Sequence, residues 1–190
     1  MQQFTVIKPL SERTNQNPLC KEEIYTHIFE TYYKRIYNYM YYRIACQTTA
    51  EDLTSQVFEK LLLNLSKYEE KKGSFEVWLF TIARNVLNDY FRALKRYSIF
   101  SFEGVKQMVS KSKTPEDVVL FTETKDKLSE AINTLDGRER HIIALKFGGC
   151  LKNNEIAKIL NITESNVGVI IYRSLKKLKQ KMVSEEKIYE

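Results

Sequence analysis

The stretch Leu151–Lys181, LKNNEIAKILNITESNVGVIIYRSLKKLKQK, decides the fold of the second half of the chain. It reads as two helices joined by a tight turn. Asn153 to Leu160 puts Ile156, Ile159 and Leu160 on one helical face, with Ala157 small enough to let a neighbouring helix come close. Asn161-Ile162-Thr163 breaks the run, because Asn tolerates a left-handed backbone, Ile162 is an apolar plug and Thr163 is a good N-cap. In the second helix Val167, Ile171, Ser174 and Leu178 form a stripe that can bury against the first. Between Tyr172 and Lys181 stand Arg173, Lys176, Lys177, Lys179 and Lys181 with no acidic residue. That charge can neutralise several phosphates, and a helix-turn-helix presents the start of its second helix to base edges in the major groove. The competing reading is a helical hairpin whose basic end is merely solvated.

Working outward, the 190 residues suit two small helical cores, and a net charge of +6 favours a polyanionic partner. Six glycines, three prolines and few alternating apolar runs predict an all-α chain. No apolar run approaches the ~20 residues that span a bilayer, and the amino terminus lacks a secretory apolar stretch, so a cytoplasmic protein without stable membrane insertion is expected. Cys20, Cys46 and Cys150 stand far apart with only His27 and His141 as companions, a pattern that predicts neither a disulfide framework nor a metal site. Phosphate-cradling glycine loops, nucleophile elbows and metal-spaced clusters are absent from the sequence, which points away from catalysis and cofactors and toward binding.

Residues 1–21 read as a flexible arm. A first helix is expected from Glu22 to Ala45, with Ile24, Ile28, Tyr32, Ile36, Tyr39 and Arg43 tracing one side and Phe29, Tyr33 and Met40 widening it. Its tyrosines read as core and core edge in preference to a base-stacking platform. Thr49 and Asp52 are spaced as a capping box for the next helix, in which Leu53, Val57, Phe58, Leu61, Leu62 and Leu65 should face inward. A charged loop, Lys67–Gly73, ends in a glycine suited to positive φ. Ser74 then caps a long helix with Phe75, Trp78, Leu79, Ile82, Val86, Tyr90 and Leu94 at helical spacing. Away from that stripe lie Arg84, Asn85, Asn88, Asp89, Arg92, Lys95 and Arg96, with Phe80 nearby. Charge, amides and an aromatic ring suit single-stranded DNA, against the alternative of a solvated helix face.

The domain thus runs over residues 22–96, followed by a serine- and lysine-rich linker at 97–113, in which Ile99, Phe100 and Phe102 are candidates to dock on the fold. A second domain is expected over 114–183, with a tail at 184–190. It restarts at Thr114-Pro115-Glu116-Asp117, an N-cap with proline and acids in the first turn, and continues through Leu120, Leu128, Ile132 and Leu135. Asp136 with Glu139 opens the next helix, with Ile142, Ile143, Leu145 and Phe147 as its apolar face and Gly148-Gly149 as its end.

Taken together, AEDLTSQVFEKLL (Ala50–Leu62), SFEVWLFTIARNVLNDYFR (Ser74–Arg92), LDGRERHIIALKF (Leu135–Phe147) and LKNNEIAKILNITESNV (Leu151–Val167) resemble the extracytoplasmic-function sigma factors, specificity subunits of bacterial RNA polymerase. The resemblance covers roughly Ile28 to Met182. It implies a sigma factor that binds core RNA polymerase through its clamp helices and flap, directs it to promoters and helps open the duplex. On this resemblance Asp52, Leu53, Ser55, Gln56 and Glu59 belong to the polymerase-docking helix. The loop before the Trp helix, with Lys72 and Ser74, would hold a flipped base of the melted non-template strand. Phe80, Arg84, Asn85, Asn88, Asp89 and Arg92 would serve minus-ten recognition. Ser165, Asn166, Val169, Tyr172 and Arg173 would contact the minus-thirty-five duplex, with Lys176 and Lys177 on phosphates. The family commonly has an anti-sigma factor as a further partner. Two departures stand out: Ser55-Gln56 replaces a frequent Gln-Glu, and Gly168-Val169-Ile170 replaces a basic run on the recognition helix, so thymine methyls or DNA shape would carry more of the specificity. A dimeric helix-turn-helix regulator remains the alternative, as does a module using its basic helices on a membrane surface.

Overall fold

A computed structural model of the chain describes residues 18–100 and 131–186. Within them every regular element is helical. The arm up to Asn17, the Thr114–Asp117 start with Leu120 and Leu128, Phe102, most of the expected linker, and the tail from Lys187 lie outside the described residues. Helix α1 covers Pro18–Ile44 and so begins upstream of Glu22, on a proline whose missing N–H costs nothing in the first turn. It stops where Ala45 turns left-handed at φ 54° and Cys46 becomes extended.

That kink moves the start of α2 (Gln47–Asn64) ahead of the expected Thr49 cap. Cys46 is the N-cap, and the Thr49 hydroxyl donates back to its sulfur at 3.3 Å. Ala50, Leu53, Val57, Phe58 and Leu61 are buried on one face of α2 as their spacing requires. Leu62 is exposed, against expectation, because three consecutive leucines cannot all face one side of a helix.

Two 3₁₀ turns, Leu65–Lys67 and Glu70–Lys72, lead to Gly73, whose φ of 156° favours glycine although a side chain would meet no neighbour there. Helix α3 (Phe75–Phe100) follows, with the Ser74 hydroxyl accepting from the Val77 N–H at 3.4 Å, and it continues through Tyr97–Phe100, placed in the linker on sequence grounds. Leu79, Ala83, Val86 and Leu87 bury against α1 and α2, whereas Leu94 is exposed. In α1, Tyr39 is wholly buried, and Tyr25, Tyr32, Tyr33, Tyr37, Tyr41 and Tyr42 rim the core, so the core reading of the tyrosines holds.

The second unit opens on the Asp136–Glu139 capping box. The Asp136 carboxylate accepts from the Arg138 and Glu139 N–H groups at 2.8 Å each, and Glu139 accepts from the Asp136 N–H at 3.1 Å. Helix α4 (Gly137–Ile143) runs into a π turn at Ala144–Gly148. The wider π turn shifts the phase of the following residues, which leaves Phe147 46% exposed where simple α periodicity buries it. Helices α5 (Asn153–Leu160) and α6 (Glu164–Glu186) form the helix-turn-helix. Asn161 is left-handed at φ 53°, and the Thr163 hydroxyl accepts from the Asn166 N–H at 3.2 Å. Val167, Ile171, Ser174 and Leu178 are all buried.

Ala131, Ile132, Leu135, Ile143 and Leu178 form a small core of the second unit's own. The larger core is continuous across both units. Ile142, Ala144, Leu145, Leu151, Ile156 and Ile159 join it from the second unit, with the π turn lying on α1 and α5 on α3.

Candidate nucleic-acid interface

Three surfaces carry the residues singled out above. The first is the outer face of α2, where Asp52, Ser55, Gln56 and Glu59 are exposed in register. Leu53 does not belong with them: it is buried among the core residues, because it lies one step round the helix from Asp52. Ser55 back-bonds to the Glu51 carbonyl at 3.1 Å, so its hydroxyl is partly satisfied within the helix. The surface continues into Leu62 and Leu63, and Leu63, 70% exposed, lies on the same stripe as Asp52, Gln56 and Glu59. The Leu61-Leu62-Leu63 triplet carried that signal, since only one of the three is in phase with Val57.

The second surface is the loop and outer side of α3. Tyr68 pins the loop: its hydroxyl donates to the Gly73 carbonyl at 3.1 Å, and its ring lies 5.3 Å from those of Phe75 and Trp78. Sequence reasoning passed over Tyr68 as one residue of a charged loop. Lys72 is exposed and pairs with Glu69 at 2.7 Å, and Ser74 is spent in part on capping α3. Along α3, Asn85, Asp89 and Arg92 are exposed and Asn88 is half-buried. Asp89 holds Arg92 at 3.3 Å and Lys60 of α2 at 3.6 Å, which orients two cations along one edge of the helix.

Two of the expected strand contacts are engaged elsewhere. Phe80 is fully buried, edge-on to Tyr39 with ring centroids 5.9 Å apart and beneath Gly149, so it is a core residue and not a stacking platform. Its position beside the polar side of α3 becomes interior because the second unit covers it. Arg84 is half-buried and donates to the Ile159 carbonyl at the end of α5 at 2.7 Å.

The third surface is α6. Ser165, Asn166, Val169, Tyr172, Arg173 and Lys176 are all exposed, Tyr172 by 70%, on the side opposite the buried Val167–Leu178 stripe. Gly168 and Ile170 are half-buried, with Ile170 on the core, so of Gly168-Val169-Ile170 only Val169 is offered outward. Lys177 is exposed as well but has a partner within the fold. Its ammonium pairs with Glu139 at 2.6 Å and ties α6 to the start of α4, a structural link that Lys176 does not make.

Among the described residues no group of three or more His, Cys, Asp or Glu could hold a metal, and no helix is long and apolar enough to cross a membrane. Two groups in contact titrate far from their usual range, the Tyr39 hydroxyl being pushed well up by burial. His141 is pushed down to about 3 by burial and by the nearby Arg43 and Arg84 cations, and its Nε2 shares a 2.8 Å hydrogen bond with the Tyr39 hydroxyl.

Comparison with known proteins accounts for both units. Residues 28–97 match the Sigma-70 region 2 family, and residues 125–178 match the Sigma-70, region 4 family. Neither is a catalytic family. The chain is 29% identical over 152 residues to the ECF RNA polymerase sigma factor BldN of Streptomyces coelicolor, a match covering 80% of this chain and 57% of that protein. It is 27% identical over 165 residues to the ECF RNA polymerase sigma factor SigX of Bacillus subtilis, covering 85% of this chain and 84% of that one. In fold it resembles the sigma factor RpoE of Bartonella quintana, solved with the anti-sigma factor NepR, at a TM-score of 0.69 and 17% identity over 84% of this chain and 97% of the other. Two sigma-70 regions in order, on two helical units, support a sigma factor and not a stand-alone dimeric regulator. The chain belongs to the sigma-70 family of RNA polymerase subunits, in its extracytoplasmic-function group.

Proposed function

We propose that this sigma factor uses its three exposed surfaces in sequence, without catalysis of its own, in the cytoplasm. The α2 face of Asp52, Ser55, Gln56 and Glu59 docks on the clamp helices of core polymerase, and the second unit meets the flap. The apolar Leu63 supplies the anchor that a largely polar docking face otherwise lacks. On α6, Ser165, Asn166, Val169, Tyr172 and Arg173 read the minus-thirty-five duplex, with Lys176 on phosphate. Asn85, Asn88 and Arg92 on α3, joined by Arg84, hold the melted non-template strand, and the Lys67–Ser74 loop takes an extruded base. Extruding a base costs a few kcal/mol, so a loop held by Tyr68 is better suited to receive it than a free one.

The observation that carries this reading is the partition of α6. Its buried stripe and its exposed DNA-suited residues occupy opposite sides of one helix, so the contact side is open as folded. An anti-sigma factor is a further partner on this reading, by analogy with the RpoE complex. The test is promoter binding and transcription with and without core polymerase. Neither DNA surface holds duplex strongly alone, and polymerase makes the second contact effectively intramolecular. The free protein should bind a promoter fragment weakly and with strong salt dependence, and tightly only with core enzyme. Tight, sequence-specific binding by the free chain, unchanged by core, would overturn the proposal.

A further inference from the structure

The Lys67–Gly73 segment between α2 and α3 carries five charged residues in seven. Most of its bonds are short in reach. Tyr68, Lys72 and Gly73 donate their N–H groups to the carbonyls of Leu65, Glu69 and Glu70, and the Lys67 and Lys72 ammoniums meet Asn64 and Glu69. Each joins residues three apart, so it shapes a local turn without fixing where the loop sits on the fold. The Tyr68 side chain does both. Its hydroxyl bond to the Gly73 carbonyl spans five residues and closes the segment on itself. Its ring meets Phe75 edge-on and Trp78 at a tilt, and Phe75 continues to Tyr32 of α1 with centroids 5.5 Å apart. Four rings thus tie the loop to α3 and, through it, to α1. Burial and the Glu70 charge both push the Tyr68 titration up, so the hydroxyl remains a donor in neutral solution. Beside the bonded carbonyl there is room: a Cβ on Gly73 would meet nothing within 4 Å.

We propose that Tyr68 is a positioning residue for strand capture: its hydroxyl, acting through Gly73, keeps the loop in the shape that receives the extruded base. The inference rests on the assignment of this loop to the melted non-template strand. Unstacking a base is already uphill, and a loop that had to be ordered in the same step would add its own conformational cost. A loop closed beforehand leaves only the cost of the base. Ring and hydroxyl divide the work. The ring belongs to the aromatic edge of the first unit, whereas the hydroxyl makes a bond confined to the loop. Removing the hydroxyl therefore spares the fold, the α2 face and α6, and acts on capture alone.

The experiment uses the full chain, and Tyr68→Phe removes the hydroxyl while keeping the ring. In the free protein, trypsin cleavage after Lys71 and Lys72 reads how often the loop opens. It should be about fivefold faster in Tyr68→Phe, the worth of one hydrogen bond, at an unchanged thermal midpoint. In holoenzyme with core polymerase, on a promoter that it transcribes, an abasic site is moved along the non-template strand of the minus-ten element. Open-complex formation by wild type should fall most at one position, that of the captured base. Tyr68→Phe should open the intact promoter about fivefold less. On the promoter abasic at that position the two proteins should be equal, because no base remains for the loop to receive. A residue that only supported the fold would lower opening on both promoters alike. Unchanged cleavage, unchanged opening, or an equal loss on intact and abasic promoters would each overturn the role of Tyr68. A wild type indifferent to every abasic site would instead sink the strand assignment, and the inference with it, while the cleavage arm would still report on the loop.

Discussion

The two helices proposed to face DNA make an instructive pair. Helix α6 presents its proposed contact residues on an open side, and its opposite stripe is spent on packing. Helix α3 is clasped on both sides: Leu79, Val86 and Leu87 enter its own unit's core, while Phe80 and Arg84 on the flank are taken by the other unit. A residue's place on its helix therefore predicts its exposure in α6 but not in α3. There, the outcome depends on whether a second body docks. Substitutions that treat the helices as equivalent should fail in opposite ways.

Phe80→Ala separates them most sharply. Removing a fully buried ring from a core that spans both units should cost about 3–5 kcal/mol, read as a large fall in the thermal midpoint. Val169→Ala on α6, exposed by 46%, should leave stability within about 0.5 kcal/mol and act on promoter binding alone. A Phe80→Ala protein that melts like wild type but opens promoters poorly would return Phe80 to the strand surface.

The next effect is on pH and comes from His141. Facing it are Tyr39 and Arg43 of α1 and Arg84 of α3, so the imidazole is held neutral and its titration pushed down to about 3. In the unfolded or open chain it titrates near ~6.5. A base with a depressed folded value contributes its full stability above that pH and loses it as the pH falls toward 3, by up to about 1.4 kcal/mol per unit. Scattering between pH 7.5 and roughly pH 5 should show the wild-type chain loosening by about 1–2 kcal/mol. His141→Gln should flatten the profile, and a profile indifferent to that substitution would assign the loosening to other groups.

The physical reasons for what the sequence did and did not reveal are the same as those that distinguish the helices. Asn161, Thr163 and the Val167–Leu178 stripe act within a few residues of one another, so left-handed turn, cap and burial are written locally, and each was found where spacing placed it. The Asp136–Glu139 box is equally local. Leu53 is buried as its helical spacing required, so it can serve the docking helix only from the core side and not on the exposed face beside Asp52. The Cys46 cap displaced the expected Thr49 start because the left-handed Ala45 is imposed by the sharp corner between α1 and α2. The π turn, the covering of Phe80, the Arg84–Ile159 bond and the Lys177–Glu139 pair join residues distant in sequence or depend on a docked neighbour. No periodicity carries that information.

The neighbouring lysines 176 and 177 divide on the same principle. Lys177→Met removes the partner of a largely buried carboxylate and should destabilise the second unit by about 1 kcal/mol, with promoter affinity falling only in proportion. Lys176→Met should leave the melting curve alone and reduce the salt dependence of promoter binding by a slope of about one. If both lysines changed the salt slope equally and neither changed stability, the ion pair with Glu139 would not persist in solution.

The smallest effect is expected at Ser174, the one polar residue in the α6 stripe. Its hydroxyl is fully buried, and no described group bonds it. A serine there resembles alanine in size, which lets α6 lie close on its neighbours, but it carries a desolvated hydroxyl with no return for it. Ser174→Ala removes that oxygen, raises helix propensity and opens no cavity larger than one atom. Stability should rise by up to about 1 kcal/mol, since an unsatisfied buried hydroxyl costs roughly that much. Promoter binding should be unchanged, because residue 174 faces away from the Ser165–Lys176 contact side. Denaturant melts with unchanged slope would isolate the gain to the folded state. A loss of about 1 kcal/mol or more would mean that Ser174 bonds a backbone carbonyl of the preceding turn in solution, and that α6, like α3, depends on a polar contact along its packed side.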